Sequence, residues 1–168
     1  ENFPDISYIY NQNFDVTNTS KSLLKALRKH RNESVLWLNG DVVFDSAILG
    51  EIKTHIENNN SFVCVNNSAV GEEEVKYNLD EFGFIKNISK KVKHALGEAV
   101  GINFISSNDI RAFISRLEEC ENSDYFERGL ELAIEKDKIK VLPHDVSSMR
   151  CMEIDFREDL ENANRLFK

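Results

Sequence analysis

The segment Ser34-Val35-Leu36-Trp37-Leu38 is almost wholly apolar and stops abruptly at Asn39-Gly40-Asp41. A short, unbroken run of this kind, closed by a turn signal, suits a strand buried on both faces of a sheet. It predicts the central strand of an α/β sheet, delivering the Asp41 carboxylate to its C-terminal end. Ligands of open α/β sheets bind beyond those ends, and Gly40 lets a ligand come close to the backbone there.

The flanking pattern agrees with that class. Upstream, Ile6 to Tyr10 is a β-prone run, and Asn18-Thr19-Ser20 offers caps for a helix whose Leu23, Leu24 and Leu27 share one face. Downstream, Ser46 can cap a helix through Ile48, Ile52 and Ile56, and Ser61 to Val65 returns as a strand. Strand, helix, strand is the βαβ signature. From Glu74 the texture changes to two alternating runs, Val75–Leu79 and Phe84–Ile88, joined by Asp80-Glu81-Phe82-Gly83. They predict an antiparallel hairpin beside the main sheet. A strand over 100–105 follows, then a helix with Ile110, Phe113, Ile114 and Leu117 on one face, and a second near 124–136 with Phe126, Leu130 and Ala133. Ile139 to Val146 reads as a strand, Met152 to Ile154 as a short one, and 157–167 as an amphipathic helix through Leu160, Ala163 and Leu166.

At 168 residues, 41% apolar and 30% charged, residues 1–168 are expected to form one soluble globular domain. No apolar run nears the roughly 18 residues of a membrane span. Cys64, Cys120 and Cys151 show no CxxC or Cys/His spacing, and the histidines no ligand or triad order. Zinc chemistry, a disulfide framework and triad hydrolysis are set aside, and a reducing cytoplasm is the expected setting. A net charge of −8 disfavours nucleic acid, whose backbone calls for Lys and Arg. A polyanionic ligand would need a local basic spot together with a divalent cation. The opening Glu1-Asn2-Phe3-Pro4 has neither an initiator Met nor a signal pattern and reads as cut from a longer chain.

Four places could carry chemistry, and each has a plain structural alternative. Asn39-Gly40-Asp41 is either a ligand-facing strand end or an ordinary turn before a helix capped by Asp45 or Ser46. In Met152-Glu153-Ile154-Asp155 the last carboxylate is either a second ligand or the N-cap of the final helix. Two strand-end carboxylates would suit Mg²⁺, which takes few protein oxygens and fills its shell with water and phosphate. Ile88-Ser89-Lys90, followed by Lys91 and Lys93, is either a solvated face or a phosphate holder. Glu98, in Gly97-Glu98-Ala99-Val100-Gly101-Ile102, faces a substrate or belongs to a turn at a sheet edge.

In order and spacing these segments resemble the nucleotidylyltransferases of the phosphocholine cytidylyltransferase type, relatives of the sugar-1-phosphate nucleotidylyltransferases. The matching pieces are Thr17-Asn18-Thr19-Ser20-Lys21-Ser22-Leu23, Asn39-Gly40-Asp41-Val42-Val43-Phe44, Ile88-Ser89-Lys90, Gly97 to Ile102, Asp124-Tyr125-Phe126-Glu127, and Glu153-Ile154-Asp155 leading into Glu158-Asp159-Leu160. The resemblance implies an α/β fold, a Rossmann-like three-layer α/β/α sandwich with a mixed sheet, of the nucleotide-diphospho-sugar transferase type. It implies transfer of a nucleoside monophosphate unit, CMP favoured, from an NTP to a small phosphorylated or phosphonate acceptor, with release of pyrophosphate. Asp41 and Asp155 would be the Mg²⁺ pair and Lys90 a catalytic cation. Asn18, Ser22, Gly40 and Asp41 would line the nucleotide site, and Lys90, Glu98, Tyr125 and Glu127 the acceptor site. Self-association as a homodimer is compatible with it.

Members of that family begin with a strand, a glycine-rich loop ending in Arg and a downstream Lys, which cradle the NTP phosphates. None of these occurs in this sequence, so the chain is expected to correspond to the C-terminal two thirds of a typical member and to lack one sheet strand and the triphosphate clamp. Two rivals stand beside the resemblance. A metal-dependent glycosyltransferase of related fold would ordinarily show a DxD motif, whereas Val42-Val43 follows Asp41. A catalytically inactive ligand-binding domain derived from a nucleotidylyltransferase is the other.

Overall fold

The computed structural model describes residues 6–68, 70–71 and 74–167, so the opening Glu1-Asn2-Phe3-Pro4 lies outside the described residues. In chain order the first elements are α1 (Thr19–Leu27), β1 (Val35–Leu38), β2 (Val42–Phe44), α2 (Ala47–Glu51), α3 (Lys53–Glu57) and β3 (Phe62–Asn66). The hairpin β4 (Lys76–Leu79) and β5 (Ile85–Ser89) and the long β6 (Gly97–Ile105) come next. Then follow α4 (Ile110–Glu119), α5 (Phe126–Leu132), β7 (Leu142–Asp145), β8 (Cys151–Glu153) and α6 (Arg157–Leu166).

Alternation along β3 shows how the layers arise. Val63 and Val65 face one apolar cluster with Leu24 and Leu27 of α1, Phe113 and Leu117 of α4, and Phe126 and Leu130 of α5. Phe62 and Cys64 face the opposite cluster, with Ile48 and Ile52 and, from β6, Val100, Ile102 and Phe104. Phe62 to Val65 are all fully buried, so the sheet is covered on both sides, as an α/β/α sandwich requires. At about 1.5–3 kcal/mol for each large apolar side chain removed from water, these two faces supply most of the drive to fold.

The sheet is mixed. Its order is β5-β4-β6-β3-β7, with β1 also on β6. β3 and β7 run parallel, and the other pairs of this sheet are antiparallel. Outside it, β2 and β8 form an antiparallel ribbon with Val42 opposite Glu153 and Phe44 opposite Cys151.

Several expectations need correction. β1 is not the central strand. It pairs with β6 alone among the described residues, and Val35, Leu36 and Trp37 are only half-buried. The centre is β6, whose nine residues are long enough to take β3 along one edge and both β1 and β4, end to end, along the other. Ile6 to Tyr10 forms no strand: it is exposed, with Tyr8 and Tyr10 stacked on each other at 6.3 Å. β-propensity without a neighbouring ladder does not hold a strand. The helix expected from Ser46 is broken at Ile52, and its first turn is capped by Asp45, whose carboxylate accepts from Ala47 N–H at 3.1 Å, while Ser46 makes no such bond. The helix near 124–136 starts at Phe126 and widens into a π-helical turn over Ala133–Asp137. Ion pairs from Asp137 to Arg116 and from Lys136 to Glu119 pin that turn to α4.

Candidate active site

The β2–β8 ribbon decides where the two aspartates go. Asp41 immediately precedes β2, Asp155 lies just after β8, and antiparallel pairing puts the beginning of one beside the end of the other. The last rung is Ile154 N–H donating to the Asp41 carbonyl at 2.9 Å. Both side chains line the same cavity of about 510 Å³.

Gly40 and Asp41 do form a turn ahead of an Asp45-capped helix, yet neither the Asp41 nor the Asp155 carboxylate serves as a cap. The N-cap of α6 is Phe156, and Asp159 turns back so that its Oδ2 accepts from Phe156 N–H at 2.8 Å and Asp155 N–H at 3.2 Å. Asp155 is therefore not the N-cap of this helix, and its own carboxylate caps nothing among the described residues. The carboxylates of Asp41 and Asp155 accept no hydrogen bond from any described residue.

The opposite wall comes from the α1–α5 junction. Asn18 N–H donates to Asn122 O at 2.7 Å and Phe126 N–H to Thr19 Oγ1 at 3.0 Å, which sews the start of α1 to the loop before α5. Ser22, Tyr125 and Glu127 thereby join the cavity lining. Lys90, just past β5, places its ammonium 5.2 Å from the centre of the Tyr125 ring, a cation–π distance. Trp37 forms the floor, stacked on Phe113 and edge-on to Phe126, each at 5.6 Å. A Cβ at Gly40 would meet nothing within 4 Å, so the backbone there opens onto the cavity.

The cavity therefore brings together Ser22, Gly40, Asp41, Lys90, Tyr125, Glu127 and Asp155. Two candidates lie outside its lining. Asn18 caps α1, its Oδ1 accepting from Thr19 N–H at 2.7 Å while its Nδ2 donates to Ser123 O at 3.2 Å. Glu98 accepts from Gly71 N–H at 3.0 Å and lines a neighbouring hollow, which shares Glu74, Glu153 and Asp155 with the main one.

Three residues had escaped sequence reasoning. Glu153 stands on the Asp155 side of β8, as period-two alternation along Glu153-Ile154-Asp155 could have shown. Burial and the nearby Glu74, Asp41 and Asp155 charges push its carboxyl up to about 7, against a bond from Asn39. Asn39 Nδ2 donates to Glu153 Oε1 at 3.4 Å. Glu74 is also held above the usual carboxylate range, by burial first and then by Glu98 and Asp155. No local sequence signal reveals that Glu74 meets this group.

On the other wall Glu127 is 8% exposed, and burial, with a smaller contribution from Glu153, pushes its carboxyl up to about 7. Its Oε2 and the Trp37 indole N–H are buried without a hydrogen-bond partner among the described residues. Unsatisfied polar atoms in the wall of a cavity are groups a ligand can satisfy. The site is thus a carboxylate-rich cleft with one lysine at its edge. Among the described residues no group of three or more His, Cys, Asp or Glu could hold a metal ion, and no helix is long and apolar enough to cross a membrane.

No family model and no curated protein matches the chain. Solved structures do. A Bacillus anthracis protein assigned as a glucose-1-phosphate thymidylyltransferase superposes with a TM-score of 0.71 at 14% identity, over 95% of this chain and 63% of that one. The CTP:phosphocholine cytidylyltransferase of Streptococcus pneumoniae gives 0.67 at 12% identity, over 95% and 68%. The inositol-1-phosphate CTP transferase of T. maritima gives 0.70 at 17% identity, over 89% and 61%. The chain thus spans less than two thirds of the length of the first and third of these proteins, and across that span it has the mixed-sheet, Rossmann-like fold that they share.

Proposed function

We propose that this chain is part of a Mg²⁺-dependent nucleotidylyltransferase that transfers a nucleoside monophosphate unit from an NTP to a small phosphorylated acceptor. The observation that carries this reading is the convergence of Asp41 and Asp155, tied through Ile154 and given no hydrogen-bond donor by the described residues, in a cleft that also holds Lys90. On this reading residues 1–168 form one domain equivalent to the C-terminal two thirds of such an enzyme, and the groups that cradle the triphosphate lie outside the chain. CTP is the favoured donor, supported by two of the structural relatives, whose names specify CTP. The setting is cytoplasmic.

The donor set fits a hard divalent cation. Asp41 and Asp155 supply the few protein oxygens that Mg²⁺ takes, in a cleft that also gathers the carboxyls of Glu74 and Glu153. When bound there, Mg²⁺ would supply charge neutralisation to the phosphates.

The remaining work falls to the chain's own groups. Ser22 and the exposed backbone at Gly40 border the nucleotide side, and the start of α1 is fixed by Asn18. Lys90 neutralises the acceptor phosphate and aims one of its oxygens at the α-phosphorus of the NTP. That oxygen attacks in line and pyrophosphate leaves, a displacement that needs positioning and charge compensation more than proton transfer. Tyr125 and Glu127 border the acceptor, and Glu98 belongs to the neighbouring hollow on the Glu74 and Glu153 side.

The test is pyrophosphate release by the full-length protein, screened with each NTP against phosphocholine, a phosphonate, an inositol phosphate and sugar phosphates. Release that depends on both Mg²⁺ and one acceptor supports the reading. Release of a nucleoside diphosphate from a nucleotide-sugar, or no turnover with any pair, overturns it.

A further inference from the structure

Gly101 sits in the middle of β6, where a strand ordinarily gains nothing from glycine. Its φ of +72° lies in the left-handed region. Along the β3–β6 pairing, Val63 to Val65 face Asn103 to Ala99, so extra β6 residues bulge around Gly101. The Gly101 carbonyl accepts from Asn39 N–H at 2.8 Å, one step beyond the last β1–β6 pair, Leu38 with Ile102. A Cβ on Gly101 would come within 2.7 Å of Val42 Cγ2 and 2.9 Å of Asn39 Nδ2. Asn39 and Val42 are the two shoulders of the turn that holds Gly40 and Asp41.

We propose that Gly101 is the positioning residue that seats this turn on β6 and thereby fixes Asp41 beside Ile154 and Asp155. The missing side chain leaves the room that both shoulders fill, and the bulge points the carbonyl that anchors the first of them. From that seat Asn39 reaches Glu153 at 3.4 Å and the Asp41 carbonyl meets Ile154 N–H at 2.9 Å. The seating stands on geometry alone. Its consequence for cation binding rests on the metal role proposed for Asp41 and Asp155.

Gly101→Ala in the whole protein pushes both shoulders outward and strains the backbone. Amide hydrogen exchange reads the seat directly. Protection at Ile154 should fall at least about tenfold while Val63 and Val65 in β3 stay as protected as in the parent. The Kd for Mn²⁺, followed by electron paramagnetic resonance, should rise by a comparable factor. Parental protection at Ile154 in the folded variant overturns the proposal. If Gly101→Ala does not fold, Asn39→Pro decides, because it removes the N–H that the Gly101 carbonyl accepts and keeps Gly101. Several-fold loss of Ile154 protection supports the seat, and no change overturns it. Loss of Ile154 protection combined with Mn²⁺ binding that ignores Asp41→Asn would uphold the seat and remove the metal reading instead.

Discussion

The backbone N–H of Ile154 and the carbonyl of Asp41 are 2.9 Å apart as donor and acceptor, which locks together two chain segments more than a hundred residues apart in sequence. Substituting either neighbouring carboxylate should leave that lock in place. Asp41→Asn and Asp155→Asn are each expected to reduce pyrophosphate release by the full-length protein at least about a hundredfold, with an unchanged circular dichroism spectrum. Near-parental turnover in a folded variant removes that aspartate from the metal pair.

Lys90 should act on the acceptor rather than on the NTP. Lys90→Ala is expected to raise acceptor KM or lower kcat by about tenfold or more, with NTP KM changed far less, since the lost group is one cation facing the acceptor phosphate. Lys90→Arg should restore part of the loss. Equal effects on both substrates would move Lys90 to the nucleotide side.

Glu127 makes stability depend on pH. Its carboxyl ordinarily titrates at 4.5 and burial pushes it up to about 7. Between those values the folded protein keeps a proton that the unfolded chain has released, so stability falls as pH rises through the window, and the loss is complete above about pH 7. Glu127→Gln cannot titrate. Relative to the parent it should gain about 1–3 kcal/mol in urea unfolding between pH 4.5 and pH 8. A difference that stays flat across the window would mean that Glu127 ionises normally in the folded protein.

Asn18 offers a stability test that also bears on the nucleotide. Its side chain is engaged at both ends, with Thr19 N–H and with Ser123 O. Asn18→Ala should therefore cost about 1 kcal/mol through the lost cap. NTP KM should respond less than it does to Ser22→Ala, whose hydroxyl belongs to a residue lining the cavity. The reverse order would show that Asn18 meets the nucleotide directly.

Much of this site was legible because strand ends announce themselves. The stop after Leu38 located Asp41, and the end of the short apolar stretch at Ile154 located Asp155, since a strand end leaves a break in composition. Pairing leaves no such mark. Nothing in Val42-Val43-Phe44 announces that it binds Cys151-Met152-Glu153, and the apolar character of Val35 to Leu38 overstated how central that strand is. Half-burial against one ladder partner and packing on helices draws the same composition as full enclosure. The alternatives for Asp155 could be separated only in three dimensions, because the helix starts one residue later than the sequence suggests, with Phe156 at the N-cap and Asp159 accepting from the N–H groups of Asp155 and Phe156.

The two-stranded ribbon of β2 and β8 contributes no rung to the six-stranded sheet, which closes without it. The main sheet and the two aspartates proposed as metal ligands thus sit on separable parts of the chain. A lineage could exchange, silence or retune Asp41 and Asp155 by drift in two short segments while every ladder of the main sheet persisted. Selection for a different donor or acceptor would have a small target, and ancestry would stay readable in the sheet long after the chemistry had changed.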